Sequence, residues 1–320
     1  MHGYLDARQL QDHKWRNLLH SVGLIAGLTG LLCLISWLIW GFEIALGVLG
    51  GLMLGIGLRP TIPLSVIMYL YGARPLGQRA APELGRIVRL LTQRAELINF
   101  PKLYYLPSRM MNAFAVGSRE NSVICMTDGL LRRLDLRELA GVLAHEISHI
   151  RNNDLRIMGL ADLLTRLTTV MSYIGMFLLV LNLPLILMSK AYVPFSAVLL
   201  LVFAPTISSL LQLGLSRARE YDADLDAAGL TGDPVGLSHP LEKLERYQGR
   251  FWEELVLPGR RIPEPSLLRT HPPTEERIRR LLALRPADRS SDLSAHRSID
   301  PQWLGQVPRK PRYHWLGMWY

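Results

Sequence analysis

The chain has 320 residues, of which 49% are apolar and 20% charged, with a net charge of +9. Apolar and charged stretches are segregated along it, which excludes a disordered chain and marks a membrane protein with an aqueous part. The basic residues are scattered through acid-rich stretches rather than gathered into one aromatic-interleaved stripe, so no nucleic-acid partner is expected, and two cysteines without ligand spacing, Cys33 and Cys125, exclude a disulfide scaffold.

Residues 21–42 are 22 in a row without a charge, about the ~20 that cross a bilayer as a helix. A cleaved signal peptide is the competing reading. The length of the run, the lack of a small-residue cleavage site and Trp37 and Trp40 at its far end argue for a retained span. Residues 44–58, apolar and rich in glycine, read as a second crossing, and residues 60–71 as a segment lying at the membrane surface. Residues 82–97 form an amphipathic helix with Leu84, Ile87, Val88 and Leu91 on one face. Residues 102–106, 113–116 and 122–126 have strand character.

His145-Glu146-Ile147-Ser148-His149 follows, led in by Leu139, Val142 and Leu143 at close to helical period. On a helix both imidazoles lie on one face and can hold one ion, and Glu146 is placed as general base on a metal-activated water. A surface helix with two spectator histidines is the alternative. Two further uncharged runs come next, 23 residues at 167–189 and 26 at 191–216, longer than the core helices of a soluble hairpin, with Lys190 at their turn. Pro205 inside the second run is tolerable if a neighbour satisfies the carbonyl it frees. Beyond it, Glu220 is the candidate third metal ligand, because a catalytic zinc takes three protein ligands and keeps one position open. Asp224, one turn further, is placed to hydrogen-bond a ligand imidazole. Pro272 and Pro273 then stop the preceding chain, and Thr274 is the candidate N-cap of a helix through Leu284.

The HExxH motif, the later Ser216-Arg217-Ala218-Arg219-Glu220-Tyr221-Asp222-Ala223-Asp224 and His271-Pro272-Pro273-Thr274-Glu275-Glu276-Arg277 together resemble the HtpX-type membrane zinc metallopeptidases, relatives of the CaaX prenyl endopeptidases. The resemblance runs from about Tyr71 to about Leu284 and includes Asn112-Ala113-Phe114-Ala115-Val116-Gly117 and Asn152-Asn153-Asp154. It implies one zinc ion on His145, His149 and Glu220, Glu146 as base and Asp224 as orienter of a histidine. It also implies that His271 and Arg277 sit near the metal, gating the site or stabilising the oxyanion, with helix capping or packing as the alternative role. A zincin resemblance further implies an edge strand that takes the peptide, here Asn112, Ala113, Phe114, Ala115 and Val116, with an ordinary edge strand as the alternative.

The expected fold class is α+β, a zincin-like domain with a small sheet combined with about four transmembrane helices. Its expected organisation is 1–72 as tail and two spans, 73–156 as first part of the zincin domain, 157–216 as a transmembrane hairpin, 217–284 as the second part, and 285–320 as a C-terminal tail carrying Trp303, Trp315 and Trp319. Ligands on both sides of the hairpin must meet on one face of the membrane. Lys14, Arg16, Arg59, Arg74, Arg151, Arg156, Arg217 and Arg219 flank that face against Glu43 and Lys190 on the other, so the positive-inside rule puts site and termini in the cytoplasm. The expected protein is thus a multi-pass zinc endopeptidase of a prokaryotic inner membrane. The resemblance implies misfolded membrane proteins as substrates and a stress-linked quality-control role. A non-hydrolytic zinc-binding chaperone or scaffold and a prenyl-protein processing protease are the alternatives.

Overall fold

The structure is a computed structural model, and it describes residues 7–58, 63–77, 81–188, 193–256 and 273–284. The expected roles of His271, Lys190, Arg59 and the tail after Leu284 lie outside those residues. The chain divides into two compact units, one formed by residues 1–14, 62–155 and 219–320, the other by residues 15–61 and 156–218.

The second unit carries the apolar helices. α1 (Ala7–Trp40) ends where Gly41 takes a positive φ of 90°, a conformation glycine adopts without strain, and α2 (Phe42–Leu58) begins one residue later. After the sheet and its helices the chain re-enters this unit along α7 (Asp154–Leu181), turns through α8 (Leu183–Leu187) and returns along α9 (Phe195–Thr231). Among the described residues three helices are long and apolar enough to cross a membrane, Leu18–Trp40, Asp154–Leu181 and Phe195–Thr231. The expected second crossing is the shorter apolar helix α2, 17 residues, about 25 Å at 1.5 Å per residue. Leu28, Leu32, Leu52, Ala161, Leu164 and Leu215 make the inner seam. Trp37, Val170, Tyr173, Phe177, Val180 and Phe203 stay exposed, an apolar belt that water would penalise and lipid covers. A Cβ on Gly175 would lie 2.8 Å from Leu201 and 2.9 Å from Ile39, so glycine there lets α7 approach both α9 and α1.

Pro205 lacks the N–H that would have served the Leu201 carbonyl. Ser172 on α7 supplies the missing donor, its hydroxyl bonding Leu201 O, and Ser208 Oγ reaches Thr165 Oγ1 at 3.2 Å a few turns away. Ser172→Ala is therefore expected to destabilise the purified chain by about 1 kcal/mol, within the range measured for interhelical bonds in bilayers. Pro205→Ala restores an intrahelical donor, so the double variant should lose less than the sum, which thermal unfolding of the three variants measures.

In the first unit, α3 (Leu64–Tyr71) turns Met68 and Tyr71 onto one face of the sheet, against Leu106, Val123 and Cys125. This stretch of the first unit begins at Ile62. Val66, Tyr69 and Leu70 point outward, so the segment expected at the membrane surface buries one apolar face and exposes another. The sheet holds β1 (Arg74–Pro75), β2 (Lys102–Leu106), β3 (Ala113–Gly117) and β4 (Ser122–Thr127) in the order β1-β2-β4-β3. β2 and β4 are parallel and the outer pairs antiparallel. Every residue of β4 is buried, which explains its unbroken Val123-Ile124-Cys125-Met126 run: both its faces are covered. The other face takes α4 (Pro82–Arg94), after which α5 (Asp128–Leu131) leads into α6 (Leu136–Arg151). Leu91, Ile124, Met126, Leu139, Leu143 and Ile147 anchor this core. α10 (Pro234–Val256) crosses α6 where a Cβ on Gly141 would stand 2.5 Å from Gly236 O, and α11 (Thr274–Ala283) packs on α10. Thr274, expected as the cap of α11, is its first helical residue, with Pro273 before it.

Candidate metal centre

α6 starts firmly because Asp135 and Glu138 form a reciprocal capping box, each side chain bonding the other's backbone N–H. The helix then carries His145, Glu146 and His149 into the interior, the two imidazoles meeting edge to face. Glu220 and Asp224 come from α9, one turn apart as their spacing requires. His145 Nε2 lies 3.1 Å from His149 Nε2 and 3.5 Å from Glu220 Oε2, and His149 Nε2 lies 3.8 Å from Glu220 Oε1. Four tetrahedral ligands at zinc bond lengths stand about 3.4 Å apart, so these three atoms fit the ion. Both Nδ1 atoms face carboxylates, so the two Nε2 lone pairs converge at 3.1 Å, an arrangement that suits a cation between them. His145, His149 and Glu220 are the one group of metal-binding spacing among the described residues.

The groups behind the ligands are equally ordered. His145 Nδ1 lies 3.1 Å from Asp224 Oδ1. His149 Nδ1 lies 2.9 Å from Asp154 Oδ2. Arg277, buried on α11, donates from Nε and Nη2 to Asp224 at 2.7 Å each, and its Nη1 stands 3.1 Å from Glu220 Oε2. All three of its donor nitrogens face the carboxylates of α9. The structure thus brings the sequence-expected Arg277 to the site from behind the ligands. Tyr221 stacks under Arg280, with the guanidinium 3.8 Å from its ring, and Asp222 lies 3.7 Å from Arg219, so two of the three residues between Glu220 and Asp224 are engaged away from the histidines.

The electrostatics favour a cation. Burial works against a charge on His145, but the Asp224 and Glu220 carboxylates outweigh it and raise its pKa to about 10. A field that holds a proton so firmly on that ring also holds a metal ion. Burial pushes the Glu146 carboxyl above the usual range against the opposing pull of the two histidines. That direction suits a group that must take and return a proton near neutrality. A backbone hydrogen bond from Ala115 holds the same carboxyl against β3. β3 is at the edge of the sheet, bonded to β4 on one side only among the described strands. Asn112, just before it, has its backbone tied to Thr127, with Asn112 N donating to Thr127 Oγ1 at 2.9 Å and Thr127 Oγ1 to Asn112 O at 2.8 Å.

Asp154 and Arg219 were not singled out as site residues by the sequence reading. Asn152-Asn153-Asp154 stood out as part of a resemblance, yet five residues after His149 is off the helical spacing of three or four, and periodicity gives no reason to join them.

A helix-borne HExxH, a carboxylate from a later helix placed to ligate the same ion and a neighbouring edge strand, in a chain with membrane-spanning helices, define a membrane metallopeptidase. The model of peptidase family M48 matches residues 78–285, and the chain belongs to that family. A protease HtpX homolog of Acaryochloris marina is 38% identical over 276 residues, covering 79% of this chain and 92% of its own length. One from Kineococcus radiotolerans is 38% identical over 239 residues, covering 66% and 76%. The solved structure of S. mikatae Ste24p is 20% identical, with a TM-score of 0.43, covering 84% of this chain and 66% of its own.

Proposed function

We propose that this membrane metallopeptidase is a zinc-dependent endopeptidase that cleaves misfolded membrane proteins at the cytoplasmic face of a prokaryotic cell membrane, as part of stress-linked quality control. The observation that carries the reading is the convergence of His145, His149 and Glu220 beside a base, Glu146, that is itself hydrogen-bonded to the edge strand. Zinc on those three residues would polarise the scissile carbonyl and lower the pKa of a water toward about 7. Glu146 takes the proton of the attacking water and passes it to the leaving amine. The free edge of β3, with Asn112, Ala113, Phe114, Ala115 and Val116, accepts the peptide as an added strand. Main-chain bonding of that kind tolerates varied side chains, which suits a protease for many unfolded clients. Arg277 holds Glu220 and Asp224 in place rather than meeting the substrate. The protease names of the relatives support peptide hydrolysis, and the arginine-rich flanks of the hairpin support the cytoplasmic side.

The test is proteolysis by the full chain in lipid nanodiscs, with an unfolded membrane protein and its folded form as substrates. Internal cleavage of the unfolded form, abolished by chelator and restored by zinc, is expected. A zinc-loaded chain that binds the unfolded protein without cutting it would make the protein a scaffold. Preferential cutting of prenylated peptides would make it a processing enzyme. A reporter active only outside the cytoplasm should work near Glu43 or Lys190 and fail after Arg109 or Tyr320; signal at Tyr320 would reverse the orientation.

A further inference from the structure

The metal ligands are split by the membrane insertion: His149 precedes it and Glu220 follows it. The ligand set forms only when the two ends of the insertion come together. The catalytic unit holds the chain up to Leu155 and takes it back at Arg219, so Asp154 and Arg219 stand at those two ends. Both are buried, at 1% and 7% exposure. One oxygen of Asp154 lies 2.9 Å from His149 Nδ1, and the other accepts from Arg219 Nη1 at 3.3 Å. A single carboxylate therefore touches one ligand and the residue adjoining another. The turn that makes this possible is Asn153, whose φ of 57° lies in the left-handed region that asparagine tolerates better than most side chains. It separates α6 from α7 and returns Asp154 to a histidine five positions back.

We propose that Asp154 is a positioning residue of the metal centre. It fixes His149 with Nδ1–H on its carboxylate and Nε2 toward the ion, and through Arg219 it closes the membrane insertion in the register that delivers Glu220. The inference rests on the metal-site reading above. An imidazole held this way is a better and pre-oriented ligand, because the carboxylate fixes its tautomer and raises its basicity. A second, part-buried pair, Arg137–Asp233, also joins the halves on either side of the insertion but touches no ligand. It separates the two roles: general stapling, and positioning of a ligand.

The experiment measures zinc affinity of the full chain by chelator competition, and the visible spectrum of the cobalt-substituted protein, for Asp154→Asn, Arg219→Gln, their combination and Arg137→Gln. Asp154→Asn should weaken zinc by about 10–100-fold and alter the cobalt spectrum. Arg219→Gln should weaken it less, with the double variant close to Asp154→Asn alone, since both act through one carboxylate. Arg137→Gln should lower thermal stability and leave affinity and spectrum unchanged. Wild-type affinity and spectrum in Asp154→Asn, or an equal loss in Arg137→Gln, overturns the proposal. His145→Ala tells the two levels apart: if it loses zinc while Asp154→Asn keeps it, only this inference falls, and if it also keeps zinc, the metal site beneath it falls too.

Discussion

Glu146→Gln is expected to keep its metal and lose nearly all peptide hydrolysis. The side chain is not among the three proposed ligands, and an amide of the same shape can still accept the Ala115 hydrogen bond that holds it against β3. What it cannot do is take a proton. Base catalysis is typically worth ~10²–10⁴-fold, about 3–5 kcal/mol of barrier. The raised pKa of Glu146 has a cost that the variant removes: a neutral amide is easier to bury than a carboxylate, so thermal stability should hold or rise. Bound metal, turnover and melting temperature measured on the same preparation decide it. Undiminished cleavage would sink the base assignment.

Glu220→Ala should be the more disruptive change, because two systems depend on that carboxylate. It is the proposed third ligand beside His145 and His149, and it faces Arg277 Nη1 at 3.1 Å. Removing it leaves two imidazoles, too few to retain zinc at micromolar chelator, and takes one of two carboxylates from a buried guanidinium. Arg277 keeps its two bonds to Asp224, so the stability loss should stay below the about 3–5 kcal/mol of a fully broken buried pair. Activity should vanish and zinc should not restore it. Glu220→Gln separates the effects, since it keeps volume and an acceptor for Arg277 while giving up a charged ligand. Its stability should recover more than its zinc content does. Full metal content and activity in Glu220→Ala would place the third ligand elsewhere.

Much of this site was legible in the chain because its chemistry is written in short helical spacings. His145 and His149, and Glu220 and Asp224, are each four apart, and α-helical geometry alone puts each pair on one face. The apolar runs were legible for a similar reason, since crossing a bilayer demands length and lack of charge that few other structures need. The strands at 102–106 and 122–127 showed through their β-branched and aromatic residues. The joining of the pairs was inferred from resemblance and zinc's need for a third ligand, since 71 positions separate His149 from Glu220.

Other features were settled only in three dimensions. α10 had no expectation attached to it, although it packs on α6 through the Gly141–Gly236 approach. Asp154 lies off the helical period of the ligand it serves, and a left-handed residue, not a repeat, brings it there. Arg277 was expected near the metal, but which of its neighbours it holds depends on how α11 lies against α9. Ser172 compensates for a proline 33 positions away, a pairing that no local pattern encodes. Spacing along one helix is a property of the chain itself, whereas a contact between elements depends on how those elements pack. The sequence by itself therefore determined the candidate ligands, the candidate base and the membrane runs, and tertiary packing decided which buried charges and hydroxyls lie against them.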